Sequence, residues 1–287
     1  MERHQLHHDH HQHDAAAEDG EAALAELVDL DAEVLHSYLS EVIAWVCELA
    51  ADMPRRRILD LGTGTGTGAL ALAQRFEGAE VIAVDVSAPM LDRLRVKARE
   101  LGVDSQIRAV QADLDAGWPA TGPVDLVWAS SSLHHMADPD RVLAGVFAAL
   151  PAGGLLAVAE MASFPRFLPD EVGRGLEARC HAALAEGLAH EVPHLGADWG
   201  PRLRKAGFAV EAERVFAIDL EPPLPAAAGR YAQASLLRLR SGLDGQLSAA
   251  DLATLGTLLD GQGPGSVLRR DDLTVRTTRT VWVARRP

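Results

Sequence analysis

Asp60, Gly62, Gly64, Gly66, Asp85, Asp113 and the pair His134-His135 are the residues of this chain whose types and spacing can do chemistry. The first four lie in Arg57-Ile58-Leu59-Asp60-Leu61-Gly62-Thr63-Gly64-Thr65-Gly66-Thr67-Gly68-Ala69, an apolar run that breaks into alternating glycines and resumes as an Ala/Leu-rich segment. That pattern predicts a strand, a tight loop and a helix. Glycine at 62, 64 and 66 lets the backbone take positive φ and approach a ligand with no Cβ in the way, while the helix start offers free N–H groups. The loop therefore suits a nucleotide. Gly64-x-Gly66-x-x-Ala69 fits the dinucleotide fingerprint, yet the carboxylate of Asp60 in front of it would repel a pyrophosphate and favour a ligand that carries positive charge.

The elements that must position these groups succeed one another along the chain. The helix over 67–76 ends at Gly78, and Val81-Ile82-Ala83-Val84-Asp85 forms the second strand of a βαβ unit. Asp85 falls 19 residues after Gly66, where a parallel-sheet nucleotide fold places the acid that binds ribose hydroxyls. Ser87, before Pro89, is the better N-cap for the helix over 90–101. A third strand, 106–111, runs into Ala112-Asp113-Leu114. The fourth, 124–129, ends in Ala129-Ser130 and continues as Ser131-Ser132-Leu133-His134-His135-Met136 beside the glycine loop. Strand order in such sheets reverses between the first and fourth strands, and ligands sit in the crevice at that point.

With Asp60-x-Gly62-x-Gly64-x-Gly66 in front, the motifs from Ile58 to Glu160 resemble class I S-adenosylmethionine-dependent methyltransferases, of the small-molecule kind similar to the ubiquinone-biosynthesis enzymes. The resemblance implies an α/β fold: a Rossmann-like, seven-stranded, mostly parallel sheet with helices on both faces, the last strand antiparallel, plus helical insertions. It implies S-adenosyl-L-methionine as cofactor and S-adenosyl-L-homocysteine as product. Asp60, Gly62, Thr63, Gly64 and Gly66 would hold the methionine end, with Ala129 and Ser130 opposite. Asp85 would bind the ribose. Asp113 would accept the adenine amine, with Ala112 alongside and Leu114 facing Val86 or Met90 across the base. Leu133-His134-His135 is similar to a stretch common in that group. One histidine is expected to pack and the other to face the pocket, either being able to act as a general base because imidazole titrates near neutrality. Sulfonium methyl transfer depends chiefly on alignment and water exclusion, so a base is optional.

The chain has 287 residues, 48% of them hydrophobic, with a formal net charge of −14. That is enough for one large α/β domain, expected over 21–287. The charge argues against nucleic acid, whose binding rests on Lys and Arg, and points to a small-molecule acceptor. No apolar run reaches membrane-spanning length and no signal-peptide block is present, so a cytoplasmic protein without a membrane partner is expected, as monomer or homodimer. Cys47 and Cys180 lie far apart and show no metal-type spacing.

Residues 1–20, with histidines at 4, 7, 8, 10, 11 and 13, are expected to be a disordered tail without a built metal site. Apolar residues at helical spacing predict one or two helices over 21–54. The cofactor half is expected over 55–161 and a cap insert over 162–197, holding Phe164, Phe167, His181, His190 and His194. The sheet is completed over 198–287, with a helical insert at 221–268 expected to lie on it as a hairpin. Ser248-x-x-Asp251 resembles a capping box there. Two readings compete with the methyltransferase. One is an NAD(P)-dependent oxidoreductase, disfavoured by Asp60 and by Asp113-Leu114. The other is a non-catalytic S-adenosylmethionine-binding or metal-handling protein, disfavoured by the intact glycine motif.

Overall fold

The computed structural model describes residues 19–54, 56–188, 190 and 192–287. The expected tail at 1–20 lies outside these apart from residues 19 and 20, which are helical.

Strands β1 (Arg57–Leu61), β2 (Glu80–Asp85), β3 (Ile107–Gln111), β4 (Leu126–Ser130), β5 (Leu155–Met161), β6 (Ala209–Leu220) and β7 (Val275–Arg285) form one seven-stranded sheet in the order β3-β2-β1-β4-β5-β7-β6. The first five are mutually parallel, and β7 runs antiparallel to both β5 and β6. The central strands read as nearly unbroken apolar runs because both their faces are covered. One face carries α2 (His36–Leu49), α3 (Thr67–Arg75) and α4 (Ala88–Glu100), whose Val42, Val46, Leu72 and Leu91 close over Ile58, Val81 and Trp128. The other carries α5 (Pro139–Ala149) and the short α7 (Gly200–Lys205), which bring Val142, Val146, Trp199 and Leu203 against Leu59, Val127 and Trp282. The helix starts obey the capping rules. Ser87 Oγ accepts the Met90 N–H at 3.1 Å with Pro89 next in the first turn, and Asp138 accepts the Arg141 N–H at 3.0 Å with Pro139 opening α5.

A third core stands at the edge of this sandwich. The helix over 19–34, α1, joins α6 (Leu176–Leu188), α8 (Ala228–Gly242) and α9 (Ala249–Leu259), where Leu30, Val34, Cys180, Tyr231, Leu236 and Leu255 enclose Phe167 and Val275. Met161, at the carboxyl end of β5, pairs with Arg279 of β7, so this core abuts the end of the sheet where the functional loops emerge. The insert at 221–268 therefore packs on α1, α6 and the outer ends of β6 and β7, not flat on the sheet as the sequence suggested. The reason lies in its composition: α8 is apolar along one stripe, and another helix fits that stripe better than a strand surface does. Ser248 caps α9, its Oγ accepting the Asp251 N–H at 3.1 Å, but its hydroxyl, not its backbone N–H, meets Asp251 Oδ2, at 2.9 Å, so the expected capping box is only half made. Among the described residues no helix is long and apolar enough to cross a membrane.

Candidate active site

The strand–loop–helix around Asp60 sits between β2 and β4, where the sheet order turns. Gly62, Gly64 and Gly66 have φ of 64°, 54° and 90°, conformations that side chains rarely adopt. Space matters as much as dihedral. A Cβ on Gly62 would fall 2.5 Å from Ser132 Cβ, and one on Gly66 would fall 2.2 Å from Leu94 Cδ1. At Gly64 the nearest atom would be Val28 Cγ1, 3.9 Å away, so this glycine faces the open side of the loop beneath α1.

Asp60 is only 2% exposed. Its Oδ2 accepts the Thr63 hydroxyl at 2.7 Å, and it also takes the backbone N–H of Ala69. The side chain thus ties the end of β1 to the loop and to the first turn of α3. Burial pushes its pKa up from 3.8 to about 7, only partly offset by those hydrogen bonds, and the charge of Asp85 raises it further. The folded chain consequently holds this proton more tightly than the unfolded chain. Its stability should fall as pH rises from about 4 to about 7, because the folded state binds more protons across that window. Denaturation of wild type and Asp60→Asn at several pH values checks this, with the variant expected to lack the decline.

Asp85 closes β2. Its Oδ2 accepts the Gly64 N–H at 2.7 Å and its Oδ1 the Ser87 N–H at 2.9 Å, so one carboxylate fixes the glycine loop against the start of α4. Met90 is buried and Leu114 nearly so, while Val86 is 63% exposed, which leaves Met90 as the inner apolar neighbour at the ends of β2 and β3. Asp113 is exposed, and its Oδ1 accepts the Asp115 N–H at 2.8 Å in a local turn; the half-buried Ala112 stands beside it.

Past β4, Ala129 is fully buried and Ser130 half-buried. Ser131 holds φ at 50°, a strained value for a residue with a side chain. Glu160, from β5, organises the segment after it. Its Oε1 accepts the Ser132 and Leu133 N–H groups at 3.1 and 2.8 Å, and its Oε2 lies 2.5 Å from His134 Nδ1, all of it buried. Facing a carboxylate oxygen, His134 Nδ1 carries a proton and donates it to Glu160. His135 lies against it with ring centroids 4.1 Å apart, but is exposed. Desolvation, then the neighbouring His134 ring, push its pKa down, so it is neutral at physiological pH.

Sequence reasoning missed the roles of Glu160, Ser131 and Gly68. A carboxylate closing an otherwise apolar strand was the available sign for Glu160. Gly68 continues the x-Gly alternation into the first turn of α3, where a Cβ would sit 2.6 Å from Trp128 Nε1 and 3.2 Å from Asp60 Oδ2. Nothing in the sequence marked Ser131. Among the described residues no group of His, Cys, Asp and Glu side chains could hold a metal ion.

Sheet order, glycine loop and the acids at the ends of β1 and β2 define a Rossmann-like fold of the class I methyltransferase type. Residues 58–154 match the family described as a methyltransferase domain. Among similar proteins, a ubiquinone biosynthesis O-methyltransferase of Bordetella avium is 31% identical over 120 residues, 42% of this chain and 48% of that one. The chain thus spans about half the length of that relative. A trans-aconitate 2-methyltransferase of Deinococcus radiodurans is 29% identical over 252 residues, 83% of this chain and 90% of that one. Of solved structures, a SAM-dependent methyltransferase from Thiobacillus denitrificans in complex with S-adenosyl-L-homocysteine has the same fold, with a TM-score of 0.50, 18% identity, and coverage of 86% of this chain and 91% of that one.

Proposed function

We propose that this chain transfers a methyl group from S-adenosyl-L-methionine to a small-molecule acceptor held between the glycine loop, the loop after β4 and the roof of α1, α6 and α8. The observation that carries the reading is the pair of carboxylates at the glycine loop, Asp60 beneath it and Asp85 beside it. Two acids there suit an ammonium, a sulfonium and ribose hydroxyls, and oppose a pyrophosphate. The similar proteins are methyltransferases that differ in acceptor, and the Thiobacillus structure holds S-adenosyl-L-homocysteine.

When bound, the cofactor would supply a methyl group made electrophilic by its sulfonium. The residues of the chain supply the rest. Gly64 leaves open room for the ligand at the loop. Asp85 has lone pairs to spare beyond its two N–H partners and would take the ribose hydroxyls. Met90 and Leu114 would border the adenine, with Asp113 Oδ2 available to its amine. Ala129 and Ser130 floor the methionine end. The ion pairs of α1 hold it across the mouth: Asp29 meets Lys97 and Arg93, and Glu21 accepts the Ser87 hydroxyl. This roof excludes water from the transfer. His134, fixed by Glu160, positions the loop, and the neutral, exposed His135 is the imidazole able to take a proton from an acceptor that needs deprotonation.

Asp85→Ala is expected to weaken S-adenosylmethionine binding by about 1–3 kcal/mol, the cost of losing charge-assisted hydrogen bonds. Calorimetric titration measures it. An unchanged dissociation constant would take Asp85 out of the site.

A further inference from the structure

Arg279 is a buried charge with no part in cofactor binding or proton transfer. It projects from β7 and is 4% exposed, its guanidinium lying where the ends of β5 and β7 meet the loop after β4. Nη1 donates to Ser131 Oγ at 2.9 Å and Nη2 to Asp31 Oδ1 at 2.7 Å. Its Nε is buried with no hydrogen-bond partner among the described residues. Around it stand two phenols, Tyr38 of α2 and Tyr231 of α8, the latter donating to the same Asp31 oxygen. Burial raises the pKa of both phenols, so they remain neutral donors.

A buried arginine that served only the fold would be expected to meet its carboxylate fork to fork, since desolvating the two charges costs about as much as their attraction returns unless the geometry is excellent. Here Asp31 makes a single-point contact. Its side chain is 34% exposed against 5% for Arg279, and it comes from α1, the helix across the mouth. Arg279 is bonded to Ser131, the residue of strained positive φ next to the floor of the methionine end. A desolvated guanidinium with an unspent donor, flanked by neutral phenols and bonded to a strained loop residue, matches one chemistry well: a planar oxyanion.

We propose that Arg279 is the acceptor anchor and that the acceptor is an organic acid whose carboxylate lies on the Arg279 guanidinium within reach of the Tyr38 and Tyr231 hydroxyls, in the position Asp31 occupies. Asp31 is then an internal mimic of that carboxylate, displaced as α1 shifts to admit the acceptor. Arg238 of α8, near enough to His135 to lower its basicity, adds positive charge on the same side. A chain of net charge −14 repels anions overall, so binding an acidic acceptor falls to the Arg279 guanidinium, whose charge is also felt by Glu160.

This inference rests on the methyltransferase reading, and its test separates the two. The full chain, saturated with S-adenosyl-L-homocysteine, is titrated calorimetrically with benzoate and succinate and with their neutral counterparts benzamide and succinamide. The carboxylates are expected to bind in the millimolar range, at least about tenfold tighter than the amides. Arg279→Lys should erase that preference while affinity for S-adenosyl-L-homocysteine holds. Asp31→Asn, which removes the internal competitor, should tighten carboxylate binding severalfold, a change that a purely structural ion pair would not produce. Equal binding of acid and amide, no carboxylate binding at all, or no gain in Asp31→Asn would overturn the anchor. Failure of S-adenosyl-L-homocysteine itself to bind would instead overturn the methyltransferase reading.

Discussion

Gly62→Ala is expected to destabilise the chain by about 2–4 kcal/mol and to abolish measurable cofactor binding. Two causes add. The new side chain would have to hold a φ of 64°, and its Cβ would press to 2.5 Å from Ser132 Cβ, an atom one bond from the backbone that cannot swing aside. Relief must come from moving the loop after β4 away from the glycine loop, and those two loops are the walls proposed for the methionine end. Gly64→Ala is the control. It shares the positive φ but meets nothing nearer than 3.9 Å, so only the backbone strain of about 1 kcal/mol should appear in stability. Urea denaturation of both variants, paired with calorimetry, separates the causes. Equal stability losses in the two would show that contact with Ser132 is unimportant.

Glu160→Ala should be the more damaging change to the fold, by about 3–5 kcal/mol, because three buried donors lose their acceptor at once. The Ser132 and Leu133 N–H groups and His134 Nδ1 all end on this carboxylate. Glu160→Gln keeps an acceptor oxygen for the backbone but offers a second donor to His134, so the ring must flip its tautomer. It should retain most of the stability and lose turnover through the displaced loop. Thermal unfolding together with single-turnover methyl transfer distinguishes the two variants. A stable Glu160→Ala with full activity would reduce Glu160 to a bystander.

The cofactor half was legible because its chemistry is local in sequence. A glycine that must take positive φ, an acid closing a strand and a Ser-x-Pro helix start each signal their conformation within a few residues, so the positions of Asp60, Gly62, Gly64, Gly66, Asp85 and Ser87 at strand ends, loop and helix start could be read from the sequence alone. What Asp60 does beneath the loop was less legible, since its 2% exposure and its bond to Thr63 depend on Trp128 and Gly68 packing over it. The cluster proposed to hold the acceptor was hardest to read. Asp31 lies 200 residues from Tyr231 and 248 from Arg279, and only the joining of α1, α8 and β7 brings the three together. Glu160 and His134 are 26 residues apart, yet their contact arises from strand β5 lying beside β4, a pairing no local pattern encodes. The orientation of the 221–268 insert was misjudged for a related reason: an amphipathic helix declares that it has an apolar face, not which partner will cover it.

The charge of the ligand at the glycine loop decides between methyl transfer and dinucleotide chemistry. Isothermal titration of the wild-type chain and of Asp60→Asn with S-adenosyl-L-methionine, S-adenosyl-L-homocysteine and NAD measures it directly. Wild type should bind the first two at micromolar concentrations and NAD not at all, with affinity rising as pH passes through about 7 and Asp60 loses its proton, presenting a full negative charge to the cationic ligand. Asp60→Asn should bind both S-adenosyl ligands more weakly, since each keeps the ammonium, and should still ignore NAD. NAD binding that appears or strengthens in Asp60→Asn, while S-adenosyl-L-methionine loses nothing, would contradict the assignment of this site to methyl transfer.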